Sequence, residues 1–329
     1  MIEAKNTPTT MFRLIGGPLG GPPNPPSPLR PSPPLRMWSA PLSDRQLGAL
    51  FLLPFVVVSC VFVVYPALDS VRLAFYSKLP FRQTFTYVGL DNFRYIFADT
   101  VFWAAAQQAL VWTAVSTVLQ AVFGVAIALL LNEAVRGINV FRGLLLFPYM
   151  VPTVVIALIW RWMFNPEFGV VNAGLRAAGI IDTNIYWLSQ PAWAMATTIM
   201  LNVWKFTPFV VICVLARLQS IPPELDEAAQ VDGAGTWHRF LHVTLPQLKA
   251  VLAVVVVFRT VWTFNKFEEI YLLTRGGPGT STFNLAVYAF EQATANLKLG
   301  AAAATGVVML VFLFAGSVLY LRLLRQEEA

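Results

Sequence analysis

Six runs of about 20 apolar residues recur along the chain, each long enough to cross ~30 Å of hydrocarbon at 1.5 Å per residue. They cover approximately residues 47–68, 104–131, 144–164, 192–215, 248–267 and 301–324. Little polar sequence is left to wet a surface: 57% of residues are hydrophobic and 12% charged, against about 25% charge in an ordinary soluble domain. The expectation is an all-α membrane protein with six transmembrane helices. The net charge of +6 is spread over many short segments, so membrane lipid accounts for it and no nucleic-acid partner is expected.

Residues 1–44 read as a Pro/Gly-rich solvated tail, with Gly16-Gly17, Gly20-Gly21, Pro22-Pro23, Pro25-Pro26 and Pro33-Pro34 blocking both helix and core. No apolar stretch suited to a cleaved signal precedes Leu47, so the first run is expected to stay as an anchor. The organisation expected is therefore a tail at 1–44, a first transmembrane helix at 45–70, an extracytoplasmic loop at 71–103, and a core of five transmembrane helices at 104–329. Lys and Arg on alternate loops number twelve against nine, with Lys205 and Arg259 inside spans and Arg136 and Arg142 in a short loop. That bias places both termini in the cytoplasm.

The two cysteines, Cys60 and Cys213, sit inside apolar runs and suggest neither a disulfide nor a metal site. His238 and His242 are four apart, but with no third ligand nearby a metal centre is not expected. Spans three to five carry Pro148, Pro152, Arg161, Lys205, Pro208, Arg259 and Lys266, residues that belong against protein or a watery cavity rather than lipid.

Residues 219–246, between spans four and five, read as two short helices joined by a bend. Pro222 and Pro223 preset a helix start, and Glu224, Asp226 and Glu227 complement its positive end. Gly233 suits a left-handed helix terminus, Thr236 suits the next cap, and Pro246 is expected to break the chain before span five. On this pattern alone, a helix lying on headgroups is equally compatible.

The spacing adds a resemblance. Glu227-Ala228-Ala229, then Asp232-Gly233, then Val243-Thr244-Leu245-Pro246 resembles the EAA motif in permease subunits of bacterial ABC importers. Val88-Gly89-Leu90-Asp91-Asn92-Phe93, Pro148 to Pro152, Asn202 to Pro208 and Leu272 to Pro278 are similar to the carbohydrate-uptake, maltose-type branch. The resemblance runs from about Leu47 to the end. It implies a type I ABC importer permease bundle with a cytoplasmic coupling helix, in a bacterial inner membrane. It also implies partners: a second homologous permease, a dimer of ATP-binding subunits, an extracytoplasmic solute-binding protein and a sugar. Glu227, Ala228, Ala229, Asp232, Gly233, Leu245 and Pro246 would couple to the ATP-binding subunit. Glu227 would meet a basic group there, and Gly233 would permit the bend.

In span five, separations of three, four and seven are read as placing Arg259, Trp262, Thr263 and Lys266 on one helical face. Such a stripe is expected to face a cavity or a partner subunit, and aromatic faces beside hydrogen-bond donors suit sugar rings. Pairing of Arg259 and Lys266 with Glu268, Glu269 or a partner helix is the competing reading, and a snorkelling cation is the plain reading of Lys205. The family resemblance implies a substrate pathway along Trp204, Phe209, Arg259, Trp262, Thr263 and Lys266. It also implies that the glycine-rich loop 274–281 receives the binding protein, where a plain turn would otherwise be assumed.

No Gly-x-x-x-x-Gly-Lys-Ser/Thr loop is present, so ATP and Mg are expected on the partner subunit and no cofactor on this chain. No nucleophile–base arrangement is legible, and enzyme activity is not expected. An ion-gradient-driven secondary transporter is the alternative. It calls for paired repeats and a buried carboxylate, neither of which the sequence displays.

Overall fold

The computed structural model describes residues 43–77, 85–133 and 137–327. The expected tail up to residue 42, and Arg136 of the short basic loop, lie outside the described residues. The chain divides into two units, residues 1–57 and 58–329. Among the described residues the helices are α1 (Asp44–Ser59), α2 (Tyr65–Leu73), α3 (Asp91–Ala98), α4 (Thr100–Asn132), α5 (Ile138–Met150), α6 (Thr153–Met163) and α7 (Val170–Ala177). They continue with α8 (Pro191–Leu218), α9 (Pro223–Val231), α10 (Thr236–Arg239), α11 (Leu245–Phe264), α12 (Glu268–Leu273), α13 (Leu285–Thr294) and α14 (Leu299–Glu327). A two-stranded antiparallel ribbon pairs Tyr76 with Tyr87 and Ser77 with Thr86.

Among the described residues, five stretches are long and apolar enough to cross a membrane: Arg45–Leu73, Thr100–Asn132, Pro191–Leu218, Thr236–Phe264 and Leu299–Tyr320. A sixth is completed by α5 and α6 together, but these are bent by 92°. The third run is therefore a broken element rather than the single span expected over 144–164. Pro152 cannot donate to a preceding turn, and Val151 before it takes an extended conformation. The freed Val151 carbonyl accepts from Lys205 Nζ on α8 at 2.7 Å. Lys205 is buried and pins the break instead of snorkelling.

The second unit is built around α8, which α4, α5, α11 and α12 surround. Asp99 caps α4 by accepting from the Val101 amide at 2.9 Å, and Arg142 Nη2 donates to the Leu131 carbonyl near its other end at 2.8 Å. Along α4, Ala105, Ala109, Ser116, Gln120, Gly124 and Ala128 are buried at helical spacing. Without a hydrophobic drive between helices in lipid, small residues earn their place by close backbone approach. Gly124 marks the tightest point: a Cβ there would lie 2.5 Å from Val210 Cγ1 on α8. Among the described residues three clusters result, one around Trp112, Ile199, Phe264 and Tyr288, one around Ala128, Val211, Leu218 and Leu248, and a small one of Ile156, Leu201 and Leu273.

Span five begins earlier than residue 248. The helix runs from Thr236 to Phe264 through one π turn, Phe240–Thr244, in which the Leu245 amide bonds to the Phe240 carbonyl. Pro246 lacks an amide hydrogen, and the widened turn beside it absorbs that loss without ending the helix. The expected break at Pro246 is thus a bulge.

Candidate functional site

The first candidate region is the helical knuckle between α8 and α11. Pro222 and Pro223 start α9, and Glu224 and Asp226 occupy its first turn. At the other end the Ala234 amide donates to the Ala229 carbonyl at 2.9 Å, and the Gly233 amide donates to the Gln230 carbonyl at 3.0 Å. With Gly233 at φ +80°, this is a Schellman terminus. A Cβ on Gly233 would meet open space, so glycine is required there by the backbone angle alone. Thr236 does not cap α10: Gly235 holds the cap position, and no side-chain cap bond forms.

Glu227, Ala228 and Asp232 are exposed, Ala229 is half-buried, and Leu245 and Pro246 lie in the first turn of α11. Beside them Val231 is 88% and Trp237 71% exposed, an apolar tip on which Trp237 packs one side of its ring 5.4 Å from Phe240. Asp226 accepts from Arg239 across the bend and from Gln230 Nε2 at 2.8 Å, tying α9 to α10. A groove of about 1240 Å³ separates this knuckle from the far half of α4, with Asn132, Glu133, Asp226, Glu227 and Arg239 among its lining residues.

The second region is the predicted stripe on span five, which the fold splits. Arg259 is 1% exposed and Thr263 is fully buried, both turned into the bundle. Arg259 Nε donates to Gln120 Oε1 at 2.6 Å and Nη2 to Thr263 Oγ1 at 3.2 Å. Gln120 Nε2 in turn donates to Asn202 Oδ1 at 2.7 Å, and Trp112 Nε1 donates to the Thr263 carbonyl at 3.1 Å. Three spans are thus joined through one buried polar network. Adjacent helical residues diverge by 100°, so with Thr263 inward Trp262 points elsewhere and remains 43% exposed. Lys266 lies beyond the end of α11, half-buried, with Nζ 3.6 Å from Glu269 Oε1. The expectation of four residues on one face is corrected accordingly.

Trp262 instead joins an aromatic surface. Its ring lies 5.5 Å from Phe209 and 5.9 Å from Phe258, and Phe209 lies 6.5 Å from Tyr149. Trp204 is on another side of α8, 5.8 Å from Trp160, and 41% exposed. Phe206 packs between Tyr149 of this surface, 6.1 Å away, and the cations, with Arg259, Lys266 and Lys205 at 4.5, 4.6 and 5.6 Å from its ring centre. Of the six residues on the predicted pathway, the structure brings Phe209 with Trp262 and Arg259 with Thr263.

Gln120 and Asn202 are the network members to which the sequence assigned no such role, whereas Glu269, expected as a possible partner of Arg259 or Lys266, does lie beside Lys266. Gln120 carried a signal: an amide within an otherwise apolar run needs a buried partner. Glu269 is fully buried, so a buried carboxylate does exist, contrary to the reading that none was present.

The loop 274–283 is held by its own threonines. Thr274 and Thr282 hydroxyls are 2.7 Å apart, and Thr282 Oγ1 donates to the Gly277 carbonyl at 3.0 Å. Asn284 caps α13 and donates Nδ2 to the Lys266 carbonyl at 2.7 Å, fixing this loop to the end of span five. Nearby, Tyr288 Oη donates to Asp99 Oδ2 at 2.8 Å. Burial first, and this bond second, push the phenol well above its ordinary range.

Apolar spans packed around a central helix, with a bent helix pair inserted before span five, define a multi-pass helical membrane protein. The chain belongs to the family of binding-protein-dependent transport system inner membrane components, which matches residues 120–326. It is 34% identical to the trehalose/maltose transport system permease protein MalF of Thermococcus litoralis, over 85% of this chain and 94% of that protein. It is 35% identical to the sulfoquinovosyl glycerol transport system permease protein SmoG of Agrobacterium fabrum, over 87% and 93% respectively. Among solved structures it resembles a bacterial ABC transporter involved in import of the acidic polysaccharide alginate. That match has a TM-score of 0.72 and 28% identity, and covers 84% of this chain and 95% of that one. Family membership decides against the ion-gradient alternative, whose criterion of a buried carboxylate would not.

Proposed function

We propose that this protein is one of two homologous permease subunits of an ATP-driven carbohydrate importer, with both termini in the cytoplasm. The observation that carries the reading is the knuckle itself: an exposed apolar tip on a capped, cross-tied helix pair that continues as helix into span five. A stiff element of this kind transmits movement of a docked subunit to a membrane helix. Two ATP-binding subunits hold ATP and Mg. One of them receives Glu227, Ala228, Ala229 and Asp232, while Gly233, Leu245 and Pro246 keep the segment bent and joined to α11.

ATP binding selects one of two bundle packings, and sugar follows the opening that results. Trp262, Phe209 and Trp204 offer ring faces for sugar C–H surfaces. Arg259 and Thr263 hold α11 to α4 behind that surface, and Lys266 borders it. An extracytoplasmic solute-binding protein delivers the sugar, and loop 274–281 receives it. Carbohydrate is favoured as the substrate class by the permeases this chain is similar to.

The test is reconstitution of the complete assembly in proteoliposomes, with labelled sugars screened through the cognate binding protein. Uptake should require ATP at the ATP-binding subunits and the binding protein on the opposite face. Uptake by this chain alone, or driven by an ion gradient without ATP, would overturn the proposal.

A further inference from the structure

The knuckle can act as a lever only if its base does not scissor, and one polar side chain reaches across that base. Arg217, in the last turn of α8, reaches across to the first turn of α11. Its Nε donates to the Gln247 carbonyl at 3.0 Å and its Nη2 to Gln247 Oε1 at 2.7 Å. Nη1 donates to Ser220 Oγ at 3.1 Å, and Ser220 Oγ donates back to the Arg217 carbonyl at 2.8 Å. All three guanidinium nitrogens are therefore engaged, which fixes the plane of the fork.

Both Arg217 and Gln247 are half-buried, so these charge-assisted bonds are less weakened by water than an exposed pair would be. One residue further along each helix, Leu218 and Leu248 are buried in the same apolar cluster. At the opposite end, Asp226 and Arg239 tie α9 to α10. The segment is thus a frame closed at its tip and at its base.

We propose that Arg217 and Gln247 are positioning residues for energy coupling: their clasp makes the knuckle move as one body with α8 and α11. This rests on the reading that the knuckle engages an ATP-binding subunit. The clasp touches neither nucleotide nor sugar, and Leu218 with Leu248 still joins the two helices when it is removed. Its loss therefore separates ATP hydrolysis from transport instead of abolishing assembly.

The experiment measures sugar uptake and binding-protein-stimulated ATP hydrolysis in the same proteoliposomes, using the complete transporter. Arg217→Ala should still assemble and hydrolyse ATP, with sugar carried per ATP lowered by about fivefold or more, the lower end of ordinary coupling energies. Gln247→Ala should fall in the same direction. Gln247→Glu, which keeps two acceptors for the fork, should stay near the unsubstituted ratio. An unchanged ratio in Arg217→Ala overturns the clasp. Should that variant fail to assemble, Gln247→Ala decides, and an unchanged ratio there overturns it equally. Glu227→Arg separates the two layers: if it abolishes uptake while Arg217→Ala leaves the sugar-to-ATP ratio unchanged, only the clasp fails. If Glu227→Arg leaves uptake intact, the coupling reading itself fails.

Discussion

Arg259 on α11 donates to Gln120 on α4 through a 2.6 Å bond in the buried centre of the bundle. The two residues are interdependent to unequal degrees. Gln120→Leu leaves the buried guanidinium with only its bond to Thr263 and should destabilise the detergent-solubilised protein by about 3 kcal/mol or more. Arg259→Met strands only a neutral amide oxygen and should cost about 1–3 kcal/mol. The double variant should lose clearly less than the two combined, as measured by chemical unfolding. Simple additivity would mean that the bond carries no coupling.

Contact between α4 and α8 is limited by Gly124, whose added Cβ would press on Val210. Gly124→Ala should lower stability by about 1–3 kcal/mol through overpacking, and Val210→Ala in the same chain should restore part of it. Thermal melts of the three variants give the answer, with no rescue as the contrary outcome.

Trp262 is exposed beside Phe209, whereas Thr263 next to it is enclosed. Trp262→Ala should therefore reduce sugar uptake about tenfold, the effect of losing roughly 1.4 kcal/mol of ring stacking, with little change in melting temperature. Trp262→Phe should recover much of the rate. Full uptake by the alanine variant would remove this surface from the pathway.

The apolar runs made the membrane class legible because hydrocarbon thickness imposes a length that composition cannot disguise. The Pro222–Pro223 start and the Gly233 terminus were legible for a similar reason, since each rests on a backbone rule local to a few residues. What remained hidden depended on neighbours distant in sequence. A seven-residue spacing placed Arg259 and Lys266 together on paper, but α11 ends before Lys266 and packing against α4 takes only part of its circumference. The 92° break in span three needed Pro152 together with Lys205 from another helix, and Gln120 had no visible partner until α11 was folded beside it.

Gly233 and Gly235 flank one bend but differ in backbone. Gly233 is left-handed at φ +80°, Gly235 is at φ −67°, and neither has an atom within 4 Å of an added Cβ. Gly233→Ala should cost about 1–2 kcal/mol of local strain, visible as faster amide exchange across residues 229–234, and should lower ATP-driven uptake. Gly235→Ala should do neither. Equal effects at both positions would deny the Schellman terminus its role.

The most direct measurement places a cross-linkable cysteine at Glu227 in the assembled transporter and follows its adducts with and without ATP. Glu227→Cys should join an ATP-binding subunit in high yield, with a yield that changes when nucleotide binds. A residue 227 that reaches no ATP-binding subunit in a complex still importing sugar at the expense of ATP would contradict the central claim.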